Sequence, residues 1–456
     1  MSRLPGVVVP HGRRSLPVLQ LAEGAAGLCR PIWLVDPADP DAIASRRLLE
    51  RMGPVVTTDR PFAALVADLA AAGAEAAIAF RDADLGLVAR LADALGLRFH
   101  SPEVADLLTD KLAQRQALAA AGLPTPAVAH IPDPTAPSVA TRLAGTVRFP
   151  AVLKPRRGSG SRQTVLVARP ADLATTLAEL DRTRPAHRGG GAGEPMILEE
   201  YLPSTPGAAE GPFADYVSVE TVATTDGLVH VAVTGRTPTV APFRETGFFL
   251  PSHLDEDQTA AVLATAGAAL SALGVTTGCT HTEIKLTPDG PRILEVNGRM
   301  GGGIRDLLLA ASGRDLLVDD LRSALGLPVE LHGLVTCQKV GYRLFYQPPL
   351  VARRLVALDG LRELAEIPGV LDVTPHLSPG EPVDPRQGTR AFLFSVVGAV
   401  DDHRDVARAR RRLEELVEAR YELADGTAVD DGPEGVGDGT RDARRSAAPA
   451  RTLAAR

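Results

Sequence analysis

Short apolar runs alternate with longer amphipathic stretches over the first hundred residues. Residues 7–9, 32–35 and 76–80 read as buried strands, while 61–72 and 85–95 carry apolar residues at helical spacing. This alternation predicts βα units around a parallel sheet and sets an N-terminal α/β domain at residues 1–108. Thr109 and Asp110 then precede a helical pattern that runs through Ala121 and is stopped by Gly122 and Pro124.

Beyond that helix the pattern changes to strands. Residues 151–154 and 164–167 read as a hairpin whose loop, PRRGSGSRQ, is rich in glycine and serine and suited to wrap a phosphate with backbone N–H groups. Strands are predicted at 196–200, 217–222, 229–234, 281–286 and 292–296, with a helix near 258–273. A second domain therefore covers 109–336, with a lid subdomain at about 125–203; the glycine-rich segment 189–193 reads as a flexible loop. A small α+β unit follows at 337–420. Residues 421–456 are nearly devoid of bulky apolar side chains, so disorder is expected there.

Composition narrows the function classes. The 456 residues carry a formal net charge of −7, and no basic stripe with interleaved aromatics appears, which argues against nucleic acid as a partner. Cys29, Cys279 and Cys337 are far apart and form no CxxC pair, so neither a disulfide framework nor a zinc ribbon is encoded, and a reducing cytoplasm is expected. The N-terminal segment lacks a secretory core, and no run of about 20 apolar residues predicts a membrane span. Basic residues are overwhelmingly arginine: the four lysines are Lys111, Lys154, Lys285 and Lys339, and Asn297 is the one asparagine. A lysine kept against that bias is a candidate for work arginine cannot do.

The sharpest chemistry lies in HTEIK (281–285) followed by PRILEVNGR (291–299). Glu283 alternates with apolar neighbours on one strand, and Glu295, Asn297 and Arg299 alternate on the next, so the polar residues share a face. Two carboxylates and an amide oxygen suit Mg²⁺, with phosphates and water completing its shell. The competing reading, a solvated hairpin face, does not explain an asparagine and an arginine in the same alternation. Arg299 precedes Met300-Gly-Gly-Gly303, where Gly301 and Gly302 let backbone approach a ligand, and is assigned to the transferred phosphoryl group.

Lys111 and Lys154 are candidates for phosphate contacts, together with Gly158, Ser159, Gly160 and Ser161. Glu199, Glu200 and Leu202 end a strand that can present backbone and carboxylate to an adenine, and Glu220 is added to the nucleotide set. On the substrate side, Arg305 is expected to grip a carboxylate and Glu245 an ammonium, with His253 nearby. No GxxxxGK[ST], HExxH, GxSxG or strand-borne GxGxxG occurs.

In order, TDK (109–111), FPAVLK (149–154), the GSGS loop (158–161), ILEEYL (197–202), HTE (281–283) and LEVNGR (294–299) resemble the ATP-grasp superfamily, and within it the L-amino acid ligases. The resemblance implies an ATP-grasp fold with a parallel α/β domain before it and a small α+β cap after it. It also implies ATP with Mg²⁺, or Mn²⁺ in its place, as cofactors, and a small carboxylate and an amine as substrates. Lys111 and Lys154 would hold phosphates, Glu200 and Leu202 meet adenine, and Glu283, Glu295 and Asn297 bind the metal. The expected reaction is amide formation through an acyl phosphate, in a cytoplasmic enzyme that can act as a homodimer. Some such ligases have a histidine where this chain has Phe248. Two other readings share the motifs: activation of bicarbonate or formate, as in biotin carboxylase or purine-pathway enzymes, and a nucleotide-binding protein without chemistry.

Overall fold

The computed structural model describes residues 4–13, 15–135, 143, 145–182, 194–205 and 211–431, and their strands form four sheets. The first is parallel, with β1 (Gly6–His11), β2 (Arg30–Val35), β3 (Val55–Thr57) and β4 (Ala74–Ala77) in the order β3-β2-β1-β4. Helices α1 (Val18–Ala25), α2 (Pro40–Met52), α3 (Phe62–Ala71) and α4 (Asp82–Leu95) pack around it. One core joins Val7, Val9, Trp33 and Leu49, and another Val8, Ile32, Leu69 and Val88. Burial from both sides is why these strands read as unbroken apolar runs.

Helices α5 (Pro102–Thr109) and α6 (Lys111–Ala120) lead into the second domain. Asp110 caps α6, its carboxylate accepting the N–H groups of Leu112 and Ala113, and Arg156 Nε lies 2.8 Å from both its oxygens. Lys111 is thereby fixed at the first helical position. An antiparallel sheet follows, of β5 (Val128–Ile131), β6 (Ala151–Pro155), β7 (Val165–Val167) and β8 (Met196–Glu200), in the order β5-β8-β6-β7. The glycine loop joins β6 to β7.

The third sheet has eight strands. They are β9 (Tyr216–Thr224), β10 (Gly227–Arg236), β11 (Gly247–Leu250), β12 (Gly278–Thr287), β13 (Gly290–Asn297), β14 (Val340–Phe345), β16 (Val370–Pro375) and β17 (Phe394–Val400), ordered β13-β12-β9-β10-β11-β14-β17-β16. One face buries Val217, Val219, Ile284, Ile293 and Val296 against the helix Glu256–Ala272. The residues alternating with these, among them Glu283 and Glu295, are left for the other face. β14 pairs with β11 from Gly247↔Leu344 to Leu250↔Gly341, so three strands of the C-terminal unit continue the central sheet.

The fourth sheet, β15 (Arg354–Asp359), β18 (Glu418–Glu422) and β19 (Ala428–Asp431), corrects the disorder expected from residue 421. A turn at Asp425-Gly426, with Gly426 at φ 80° and Asp425 accepting the Thr427 N–H, folds β19 back on β18. Asp-Gly between two strand-forming stretches is a hairpin signal that the polar composition hid, and buried Tyr421 anchors it. Residues 432–456 of the expected tail, and the segment 189–193, lie outside the described residues. Among the described residues no helix is long and apolar enough to cross a membrane.

Candidate active site

The lid sheet and the polar face of the central sheet enclose a cavity of ≈ 390 Å³. Its wall brings together Lys111, Lys154, Gly158, Ser159, Gly160, Ser161, Glu199, Glu200, Leu202, Glu245, Glu283 and Glu295, drawn from segments far apart in sequence. Val152, Leu202 and Leu294 supply apolar wall suited to a flat ring. Leu294 is there because the β12–β13 register steps from Glu283↔Glu295 to Ile284↔Ile293, which leaves it as an extra residue.

The lysines are held by carboxylates. Lys154 Nζ is 2.6 Å from Glu199 Oε2, and Glu199 Oε1 is 3.0 Å from Arg115 Nε. Burial pushes the Lys154 ammonium below its ordinary value while Glu199 pulls the other way; burial would raise Glu199, but Arg115 and Lys154 hold its carboxyl low. The expectation that Glu199 offers its carboxylate to a nucleotide is therefore corrected: it is spent on two cations. Lys111 Nζ lies 2.8 Å from Glu295 Oε1 and donates to the Gly158 carbonyl at 2.5 Å. In the loop itself Ser161 and Gln163 have φ of 55° and 53°, a left-handed conformation rare for such residues.

Glu283 and Glu295 face each other across β12 and β13, and His281 faces Asn297 one pair further on. Among the described residues no three carboxylates, imidazoles or thiols are placed to hold a metal ion together, so a cation between Glu283 and Glu295 would complete its shell largely with non-protein oxygens. That donor set fits Mg²⁺, which keeps water and phosphate in its octahedron. Asn297 is buried and outside the cavity wall, with its Oδ1 accepting from Arg299 at 3.3 Å. Arg299 is also outside the wall: Nη2 is 2.8 Å from Asp82 Oδ2 at the start of α4. Burial opposes the Asp82 charge, but Arg299, then Lys111 and Ser159, keep its carboxyl low.

Several expectations fail on geometry. Arg305 is clasped by Asp315, with contacts of 2.9 and 2.7 Å, and has no place in the cavity wall. His253 packs on the rings of Phe213 and Phe249, where burial lowers its basicity. Glu220 is fully buried, with Oε1 2.6 Å from His281 Nδ1, so it does not reach a nucleotide. Gly301 lies under His281, where a Cβ would come within 2.5 Å of the ring, and Gly302 faces open space at the start of the helix Ile304–Ser312.

Sequence reasoning missed the residues behind the carboxylates. His281, bridging Glu220 and Glu283, is held protonated: burial opposes the charge and Glu220 overcomes it. Arg236 Nε is 3.3 Å from Glu245, whose Oε1 also accepts from the Tyr216 hydroxyl at 3.3 Å. Lys285 lies 2.6 Å from Asp215, and both line the cavity. His281 and Arg236 had one available signal, strand alternation onto the polar face; the pairing Asp82–Arg299 spans 217 positions and had none.

The family described as ATP-grasp domain matches residues 147–306, a segment that holds the glycine loop, Glu199 to Leu202, Glu283, Glu295 and Arg299. Residues 147–306 are thus similar to an ATP-grasp domain. The chain's whole fold is also of the ATP-grasp kind, being similar to the crystal structure of an L-amino acid ligase from Bacillus licheniformis. That match has a TM-score of 0.75 and 18% identity, and covers 92% of this chain and 100% of that one. Carnosine synthase 1 of Gallus gallus is 37% identical over 192 residues, 41% of this chain and 20% of that protein. Alanine–anticapsin ligase of Bacillus subtilis strain 168 is 28% identical over 240 residues, 50% of this chain and 49% of that protein. The chain thus spans less than two thirds of the length of these curated relatives. The ATP-grasp segment accounts for Lys154 and the carboxylate pair; Lys111, Asp82 and the C-terminal unit lie outside it.

Proposed function

We propose that this protein is an ATP-dependent ligase that joins a small carboxylate, in the first instance an amino acid, to an amine, releasing ADP and phosphate. The observation that carries the reading is one cavity that joins two lysines and a glycine loop to an opposed carboxylate pair and, further along, to Glu245 with its buried arginine. Sequence similarity to proteins named as carnosine synthase and alanine–anticapsin ligase supports amide formation over activation of bicarbonate or formate.

In this reading the adenine sits between Val152, Leu202 and Leu294, near Glu200. Lys111, Lys154 and the glycine loop take the phosphates. Glu283 and Glu295, with Asn297 behind them, would hold Mg²⁺, which when bound would supply positive charge against the phosphates. The carboxylate oxygen attacks the γ-phosphorus and ADP leaves, giving an acyl phosphate. The amine then attacks the acyl carbon, phosphate departs, and the amine proton is lost. Arg299, once drawn from Asp82 toward the bound anions, steadies the departing phosphate. Glu245, anchored by Arg236 and Tyr216, receives a substrate ammonium. Arg305 has no role.

The test is phosphate release from Mg-ATP with amino acids and small carboxylates, singly and in pairs, with product masses recorded. Turnover that requires a carboxylate and an amine and yields the condensed mass supports the ligase. Turnover with bicarbonate alone, or nucleotide binding without turnover on any pair, refutes it.

A further inference from the structure

The segment Pro385–Ala391 of the C-terminal unit lies outside the cavity wall but touches both of its ends. Toward the lid, the Thr389 N–H donates to the Gly160 carbonyl at 3.0 Å and Arg390 Nη2 donates to Ser159 Oγ at 3.0 Å. Gly388 has φ of 70°, and a Cβ there would fall 2.1 Å from the Gly160 carbonyl and 2.7 Å from the Arg162 nitrogen, so only glycine fits. Toward the amine side, the Glu245 N–H donates to Thr389 Oγ1 at 3.1 Å. Gln347 Nε2 donates to the carbonyls of both Glu245 and Thr389, at 2.7 and 2.8 Å. From across the cavity Lys111 holds the Gly158 carbonyl, so the loop is gripped from two sides.

We propose that Gly388, Thr389 and Arg390 are positioning residues that hold the glycine loop shut over the nucleotide phosphates and tie that closed state to the placement of Glu245. The part of this inference that concerns coupling rests on the ligase reading. An acyl phosphate open to water is lost, because water adds to the acyl carbon, phosphate leaves and the carboxylate returns with a proton released. A loop clamped by the segment whose Thr389 also sets Glu245 excludes water when the amine subsite is formed. None of the three touches substrate; they act through the loop and through Glu245.

The experiment compares wild type with Arg390→Ala, Arg390→Lys and Gly388→Ala. Arg390 is exposed, so its removal leaves the fold intact. The first readout is hydrogen exchange of residues 158–163 with and without Mg-ADP, which needs no knowledge of the acceptor. Wild type is expected to gain protection, Arg390→Ala and Gly388→Ala to lose most of it, and Arg390→Lys to keep part. The second readout is phosphate released per amide formed, expected near one in wild type and several-fold higher in Arg390→Ala, a change that a merely structural role would not produce. Protection equal to wild type in both loss variants overturns the proposal, as does a ratio that stays near one in a variant that has lost protection. If wild type forms no amide with any pair, the ligase reading fails, and the exchange experiment alone still decides whether the loop is clamped.

Discussion

Lys111, Lys154 and Lys285 all line the cavity, while Lys339 pairs with Asp401 at the surface. Glu295 faces both Glu283 and Lys111, so Glu295→Gln removes half of the carboxylate pair without opening the core. Mg²⁺-dependent nucleotide affinity should fall by about tenfold or more with an unchanged melting temperature, which calorimetry with and without the metal will read. Arg299→Ala has a second effect, because Asp82 is left without its cation in a largely buried site. A loss of about 3 kcal/mol is expected, and the double variant Asp82→Asn/Arg299→Leu should regain stability but not turnover. Denaturant melts and the phosphate assay separate the two effects. Asp320 gives a pH prediction. Burial pushes its carboxyl up to about 6, above its ordinary value of 3.8. The folded state thus favours the protonated form, so stability falls as pH rises from about 4 to about 6 and stays reduced above. Asp320→Asn keeps the acceptor for the Cys279 N–H and should stabilise the protein by on the order of 2 kcal/mol near neutral pH, with almost no effect near pH 4, as thermal melts across that range will show.

At the scale of elements, the cap on α6 links stability to the site. Asp110→Ala removes the acceptor for two helix N–H groups and strands Arg156. The expected loss is about 1 to 2 kcal/mol, together with a several-fold rise in the KM for ATP because Lys111 is the next residue; melts and ATP titrations measure both. This cap was readable in advance, since Thr109-Asp110 ahead of a helical pattern is a local signal. So were the strands of the polar face, whose period of two placed Glu283 and Glu295 together. Illegible were the elements whose meaning depends on partners far along the chain. For Arg305 the sequence left a substrate carboxylate and an ion pair equally open, and its partner became visible only when the helix Leu316–Ala324 brought its cap, Asp315, against it. Residues 385–391 had no recognisable pattern, because a loop shaped to fit another loop has no periodicity.

At the scale of the molecule, the parallel unit, the lid and the central sheet were each legible as separate patterns, whereas their joining was not. Pairing of β14 with β11 is written in neither strand alone. A chain ending at residue 336 would leave the β11 edge, with Phe248, Phe249 and Leu250, exposed. Such a truncation should fail to give a cooperative melt and should aggregate in size-exclusion chromatography. The same seam limits what recombination between relatives can achieve. A chimera spliced between the second and third units inherits a foreign strand register from Gly247↔Leu344 to Leu250↔Gly341 and also a foreign partner for Gly160. Transplanted as a cassette, the C-terminal unit would disturb the glycine loop before it altered any preference for substrate. New specificities are therefore better sought by point changes around Phe243, Thr239 and Tyr216, which line the cavity yet leave the seam as it is.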